Sequence, residues 1–351
     1  MIFSSLFLTQ KMLKNNPHKS VIHWLLSGCV LIFLMVVIGG ITRLTNSGLS
    51  MVDWKLIVGM VPPLTEQDWI VTFNEYKNFP EYKEVNYLFT LEEFKAIFFW
   101  EYLHRLIGRL IGLVFIIPFF YFLINNKIQG KLIGKTVIIL CMGGFQGFLG
   151  WWMVKSGLVN DPDVSHYRLA AHLISAFLTF AYTFWVALEL MTKEEERPNV
   201  PYLRKGVLML FFIAVLQIVY GAFVAGLNAG FIMNTWPKMG ETWIAESVTA
   251  MEPFWINFID GIGGVQFIHR YLAYVVVGLV LFLLMKSTKF ELNRTQKKSL
   301  MALIVVVFIQ FLLGVFTLLL AVPVWLGVTH QVGAFLLLGA IVYSMSSFRK
   351  G

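Results

Sequence analysis

Charged residues are scarce in this chain. They make up 14% of its 351 residues, against about 25% in an average soluble domain. That shortage excludes a polar coat large enough to wrap a water-soluble core of this size. Cysteine is scarcer still, with Cys29 and Cys141 the whole complement. Both fall inside apolar stretches, which excludes a disulfide framework and a CxxC redox pair. No cleavable signal is evident, because the first apolar stretch is too long for a signal core and follows a polar, basic leader. An amphipathic, Arg- and Ser-rich transit segment is also missing, which points to a bacterial inner membrane rather than a mitochondrial one. Paired Gly/Pro interruptions at mid-span are absent, which argues against a transporter made of parallel repeats.

Apolar residues are what the chain has in excess: 58% of the total, with a mean hydropathy of +0.72. Eight stretches are long enough to span a bilayer, at 22–41, 103–124, 132–153, 168–190, 205–226, 268–285, 300–321 and 328–347. The net charge of +8 is not a nucleic-acid signal, because it is spread over alternate loops. Lys11, Lys14 and Lys19 precede the first span. Lys127, Lys131 and Lys135 follow the second, and Lys193, Arg197, Arg204 and Lys205 follow the fourth. Lys286, Lys289, Arg294, Lys297 and Lys298 follow the sixth, and Arg349-Lys350 ends the chain. The positive-inside rule makes that side, with both termini, cytoplasmic.

Two halves of the chain repeat. Asn46, Gly48, Met51 and Trp54 return as Asn228, Gly230, Met233 and Trp236, at a constant offset of 182. His104-Arg105 pairs with His269-Arg270, Gln146 to Gly150 with Gln310 to Gly314, and His172 with His330, always in the same order. We expect an all-α membrane protein of two tandem four-helix bundles, 22–190 and 205–347. A leader (1–21), a cytoplasmic linker (191–204) and a tail (348–351) complete the chain. An even number of spans per half makes the repeats parallel, related by an axis along the membrane normal. In the long loop after span one, Thr90 and Glu93 form a capping-box pattern. A helix starting there runs through Glu101 into span two and projects above the bilayer. The Trp residues of the two long loops suit either an interfacial belt or a ligand mouth.

Four of the seven histidines occupy repeated positions: His104, His172, His269 and His330. Three of them are read as opening their helices, with His172 one turn in, all near the outer face. Intramembrane histidines face bundle interiors and mark function. Two imidazoles facing each other across a bundle can grip a flat iron macrocycle from both sides. A zinc site needs a third or fourth ligand, and none is repeated. A hydrogen-bonding or proton-relay role is the alternative. His18, His23 and His166 are not repeated and read as surface or interfacial. Arg105 and Arg270 suit either a macrocycle carboxylate or lipid headgroups; Arg109 and Arg168 lie near the same rim. The halves differ where Glu101 meets its counterpart Gln266, each three residues before a histidine and on its helix face. Glu101 is either a site carboxylate or an ion-pair partner of Arg105.

The run from Glu101 through His104-Arg105 to Gly108-Arg109, the segment Gly39 to Thr45 leaving span one, and the four histidines together resemble the heme A synthase family. The likeness runs from about 22 to 347. The missing outer-loop cysteine pair is similar to the mitochondrial and proteobacterial branch. The resemblance implies oxidation of the C8 methyl group of heme O to a formyl group, giving heme A for terminal oxidases. It implies a substrate heme held by His104 and His172 with Glu101 catalytic, and a resident heme b held by His269 and His330. Arg105 and Arg270 would serve the hemes. Implied partners are heme O synthase, the oxidase assembly machinery, an unidentified electron acceptor, membrane lipid and a second copy of the chain, with no nucleic acid. The rival reading is a non-catalytic diheme electron-transfer cytochrome, which leaves the Glu101/Gln266 difference idle.

Overall fold

A computed structural model describes residues 16–52, 61–158, 162–191 and 198–350. Lys11, Lys14, Trp54, Lys193 and Arg197 lie outside these residues. Eight of the described helices are long and apolar enough to cross a membrane. The first half contains α1 (Lys19–Leu44), the short outer α2 (Glu66–Tyr76), α3 (Leu91–Ile124), α4 (Lys131–Gly157) and α5 (His166–Met191). The second half contains α6 (Pro201–Gly226), α7 (Ile262–Ser287), α8 (Arg294–Leu319) and α9 (Val324–Ser347).

Local chemistry sets the helix ends. Capping boxes at Thr65/Asp68, Thr90/Glu93 and Asn293/Gln296 open α2, α3 and α8. Pro201 begins α6, where its missing N–H costs nothing. These starts lie outside the apolar runs, so the helices are longer than hydropathy alone indicates. The expectation that His104, His269 and His330 open their helices is therefore corrected. His104 lies about 20 Å along α3 from Leu91 at 1.5 Å per residue. The other three histidines sit about half that distance into their helices. The continuous helix expected to start at Thr90 and Glu93 and run through Glu101 into span two is present.

Within each half the first helix packs on the second, the third on the fourth, and the first on the fourth. Between the halves α1 meets α9, α5 meets α6, and α5 meets α9. Exchanging the halves maps this set of contacts onto itself, as a parallel repeat requires. Phe177 and its counterpart Phe335 meet on the axis with ring centroids 5.5 Å apart, and Phe180 stacks on Phe335 at 3.9 Å. Each half has its own apolar core away from the histidines: Val21, Trp24, Leu25, Phe115 and Phe119 in the first, and Leu203, Val207, Leu210, Val280 and Leu303 in the second. Large side chains such as Ile117, Phe212 and Phe308 point outward where lipid would lie.

The outer caps differ. Over the first half, Phe73 and Tyr76 of α2 pack on Phe94, Ile97 and Phe98 of α3, with Trp69 edge-on to Phe98. The Tyr76 hydroxyl donates to Glu81 Oε2 (2.9 Å), and Asn86 Nδ2 donates to the Tyr76 oxygen (2.8 Å). Burial pushes the Glu81 carboxyl up to about 8. The second half is covered by short 3-10 turns that leave Trp243, Phe254 and Trp255 exposed.

Candidate functional site

The repeated motif that follows α1 and α6 is a shared turn. Asn46 and Asn228 have φ of 48° and 54°, a left-handed conformation that asparagine tolerates. Beyond the turn, the Met51 and Met233 carbonyls accept from Arg105 Nη2 (2.8 Å) and Arg270 Nη2 (2.5 Å). The motif thus ties each outer loop to the helix that carries a histidine. Arg270 Nη1 also donates to Thr235 O and Lys238 O (2.9 and 3.1 Å). Both guanidinium groups reach loop carbonyls. Arg270 Nε is buried with no hydrogen-bond partner among the described residues.

The Glu101/Gln266 difference falls on this same tie. Glu101 is buried and accepts from Ser50 Oγ (2.7 Å), Met51 N–H (2.8 Å) and Arg105 Nη2 (2.6 Å). Gln266 is equally buried, but its Nε2 donates to Ala229 O (2.8 Å) and Ile232 O (2.7 Å). The loop offers donors to the carboxylate and acceptors to the amide, so each residue suits its own half. The ion pair with Arg105 forms, and the anion stands about one turn from His104.

Each histidine lies against a glycine of the preceding transmembrane helix. A methyl group on Gly39 would stand 3.0 Å from His104 Cε1, and one on Gly221 3.1 Å from His269 Cε1. The corresponding distances are 3.2 Å for Gly150 to His172 and 2.9 Å for Gly314 to His330. Only glycine lets the imidazole rest against the backbone in this way. One turn before three of these glycines stands a glutamine at its histidine's Nδ1: Gln146 to His172 (3.1 Å), Gln217 to His269 (3.2 Å) and Gln310 to His330 (3.2 Å). Gln217 escaped the sequence reading, although Gln217 to Gly221 repeats the spacing of Gln146 to Gly150 and Gln310 to Gly314.

These geometries fit iron ligation. The His269 and His330 ring centroids are 6.4 Å apart with planes at 88°. A bond of about 2.0–2.1 Å from metal to imidazole nitrogen, plus about 1.1–1.2 Å from nitrogen to ring centre, gives about 6.4 Å across a doubly ligated metal. A ring that binds iron through Nε2 carries its proton on Nδ1 and needs an acceptor there. The Oε1 atoms of Gln146, Gln217 and Gln310 are all buried without a partner, and turning the amide over brings each to Nδ1, at the expense, for Gln146 and Gln217, of the Nε2 bonds to the His172 and His269 carbonyls (2.9 and 3.0 Å). Among the described residues no cluster of three or more His, Cys, Asp or Glu forms, and each histidine pair could supply two ligands to a bound iron.

Other sequence candidates are placed as follows. Arg168 Nη1 donates to Trp152 O (2.8 Å) and stacks over the Trp152 ring. His166 is half-buried where the halves meet, with Nε2 3.0 Å from Ile259 O and 3.2 Å from Asp260 Oδ1. His23 is exposed. Cys29 is buried and Cys141 exposed on a helix face, and neither is bonded.

The chain matches the family described as cytochrome oxidase assembly protein (COX15-CtaA) over residues 22–342. It is 56% identical to the heme A synthase of Flavobacterium psychrophilum over 342 residues, covering 96% of this chain and all of the relative. It is 54% identical to the heme A synthase of Flavobacterium johnsoniae, covering 95% of this chain and 99% of the relative. The heme A synthase of Nitrosospira multiformis is 44% identical, with 95% of this chain and 94% of the relative covered.

Proposed function

We infer the activity from one premise: the chain belongs to the COX15-CtaA family of cytochrome oxidase assembly proteins. It is a heme A synthase, oxidising the C8 methyl group of heme O to a formyl group. The observation that carries the site assignment is the His269–His330 geometry, together with the glutamines that meet three of the four Nδ1 atoms. Bound heme iron supplies the redox chemistry. The chain's own residues hold, orient and electrostatically bias the groups around it.

In this reading His269 and His330 hold a resident heme b, and His104 and His172 hold the substrate heme. Arg270 holds the loop over the second site and has its Nε left for a propionate. Arg105 does the equivalent work over the first site and fixes Glu101. Removing electrons from a methyl group conjugated to the macrocycle builds positive charge. A buried carboxylate one turn from His104 opposes that charge. Both Glu101 oxygens are already engaged by donors from Ser50, Met51 and Arg105, an arrangement that suits charge stabilisation better than proton acceptance.

The Lys and Arg distribution supports cytoplasmic termini in a bacterial inner membrane, with both sites near the outer face. Heme O synthase and the oxidase assembly machinery are the partners that this chemistry requires. The test is heme extraction from cells that express the chain together with a heme O source. Heme A should accumulate; heme O alone, in cells where the protein is folded and membrane-inserted, would sink the assignment.

A further inference from the structure

The pattern of glutamine, three residues, then glycine stands beside His172, His269 and His330. At the fourth position the glycine is kept and the glutamine is not. Gly39 packs on His104 as Gly221 packs on His269. The residue one turn before Gly39, equivalent to Gln217, is Met35. His104 Nδ1 is buried with no hydrogen-bond partner, and no other histidine nitrogen shares that condition among the described residues. Met35 itself turns toward α3, its Cε 3.7 Å from where a methyl on Gly108 would stand. Methionine fills the length of a glutamine with a flexible thioether that is only a weak acceptor.

We propose that Met35 makes His104 the exchangeable ligand of the first site, the one whose bond gives way when substrate enters and product leaves. The proposal rests on the reading that the four histidines ligate heme iron. An acceptor on Nδ1–H fixes the ring orientation and makes Nε2 the better donor to the metal. His172, His269 and His330 have a side chain placed for that role, and His104 has none. The first site therefore combines one firm ligand, His172, with one loose ligand. A site that turns over must release its macrocycle each cycle, whereas a resident site must not. In keeping with this, His269 and His330 are the one histidine pair in ring contact among the described residues.

The experiment uses the purified full-length protein with ferric heme b as probe. It measures transfer of heme from each site to excess apomyoglobin and the iron–imidazole stretch by resonance Raman. Met35→Gln should slow release from the first site by about 10-fold or more, the usual scale for outer ligand contacts, and should strengthen the stretch. Met35→Leu, which changes packing without adding an acceptor, should behave as wild type. Gln217→Met should speed loss from the second site by a similar factor. His104→Ala separates the two levels of the argument. If it removes the first site's six-coordinate signal while Met35→Gln releases heme at the wild-type rate, the exchange proposal falls and the ligand assignment stands. If His104→Ala leaves the first site six-coordinate, the ligand assignment falls and takes the proposal with it. Should Met35→Gln fail to fold, unchanged retention in Gln217→Met is enough to overturn the proposal.

Discussion

The two halves put the same helices around two histidine pairs and then finish them differently. The second half satisfies both histidines with glutamines, holds its rings 6.4 Å apart and closes its loop with an uncharged amide. The first half leaves one histidine without a partner, buries an ion pair beside it and raises an aromatic cap above it. On the function proposed above, one copy is finished as a holder and the other as a workplace. The comparison teaches that a duplicated scaffold can keep its histidines and differ in the contacts around them.

The bluntest way to break this comparison is to remove a ligand from the holder. His269→Ala or His330→Ala should abolish the low-spin, six-coordinate heme signal of the second half, read by optical spectroscopy. Retention of that signal in both variants would refute the pairing. Next, Glu101→Gln makes the first half imitate the second. Heme A formation should fall about 10²-fold or more, with the second-half heme retained. Because this change also removes the charge that Arg105 pairs with, the neutral double variant Glu101→Gln with Arg105→Gln is the sharper probe. Recovery of activity in the double variant would reduce Glu101 to an ion-pair role.

The reverse change, Gln266→Glu, sets a carboxylate against the Ala229 and Ile232 carbonyls, now 2.8 and 2.7 Å from the amide nitrogen. It should destabilise the protein by about 3 kcal/mol or more without creating a second active site. An unchanged Tm in detergent would contradict this account of the loop. The smallest expected effect concerns the cap found only on the first half. Glu81 holds its proton up to about 8 in the folded state, above the ordinary glutamate value of 4.5. Its contribution to stability is therefore present at low pH and fades as pH rises from about 4.5 through 8. Amide exchange around Tyr76 and Glu81 should be faster at pH 9 than at pH 6, and Glu81→Gln should flatten that difference.

The eight spans were legible because each is a long, predominantly apolar run, and the early start of α3 because Thr90 and Glu93 spell a capping box. The four histidines were legible because they repeat. Gln217 was missed although its spacing to Gly221 was in plain view: it lies on a different helix of the bundle from Gln146 and Gln310, with different neighbours. The arginines could not be resolved from sequence, since whether Arg105 and Arg270 turn to lipid, ligand or loop depends on side-chain direction in three dimensions. The contact between Glu101 and the Ser50–Met51 turn likewise joins segments about 50 residues apart, which no local pattern reports.

Arg43, at the outer end of α1, donates to Asn46 Oδ1 (3.3 Å) and reaches across to Asn228 Oδ1 (3.2 Å) and the Ala225 carbonyl (2.9 Å). By the offset of 182 that relates Asn46 to Asn228, Ala225 is Arg43's own counterpart. A side chain that touches its own image stands beside the symmetry axis. Two identical chains paired about that axis would bring two such guanidinium groups together, and like charges at that range repel. Joining the halves in one polypeptide lifts the restriction, because one copy keeps the cation while the other retreats to alanine. Covalent fusion thus gives the protein a central clasp that a symmetric pair of separate subunits could not hold.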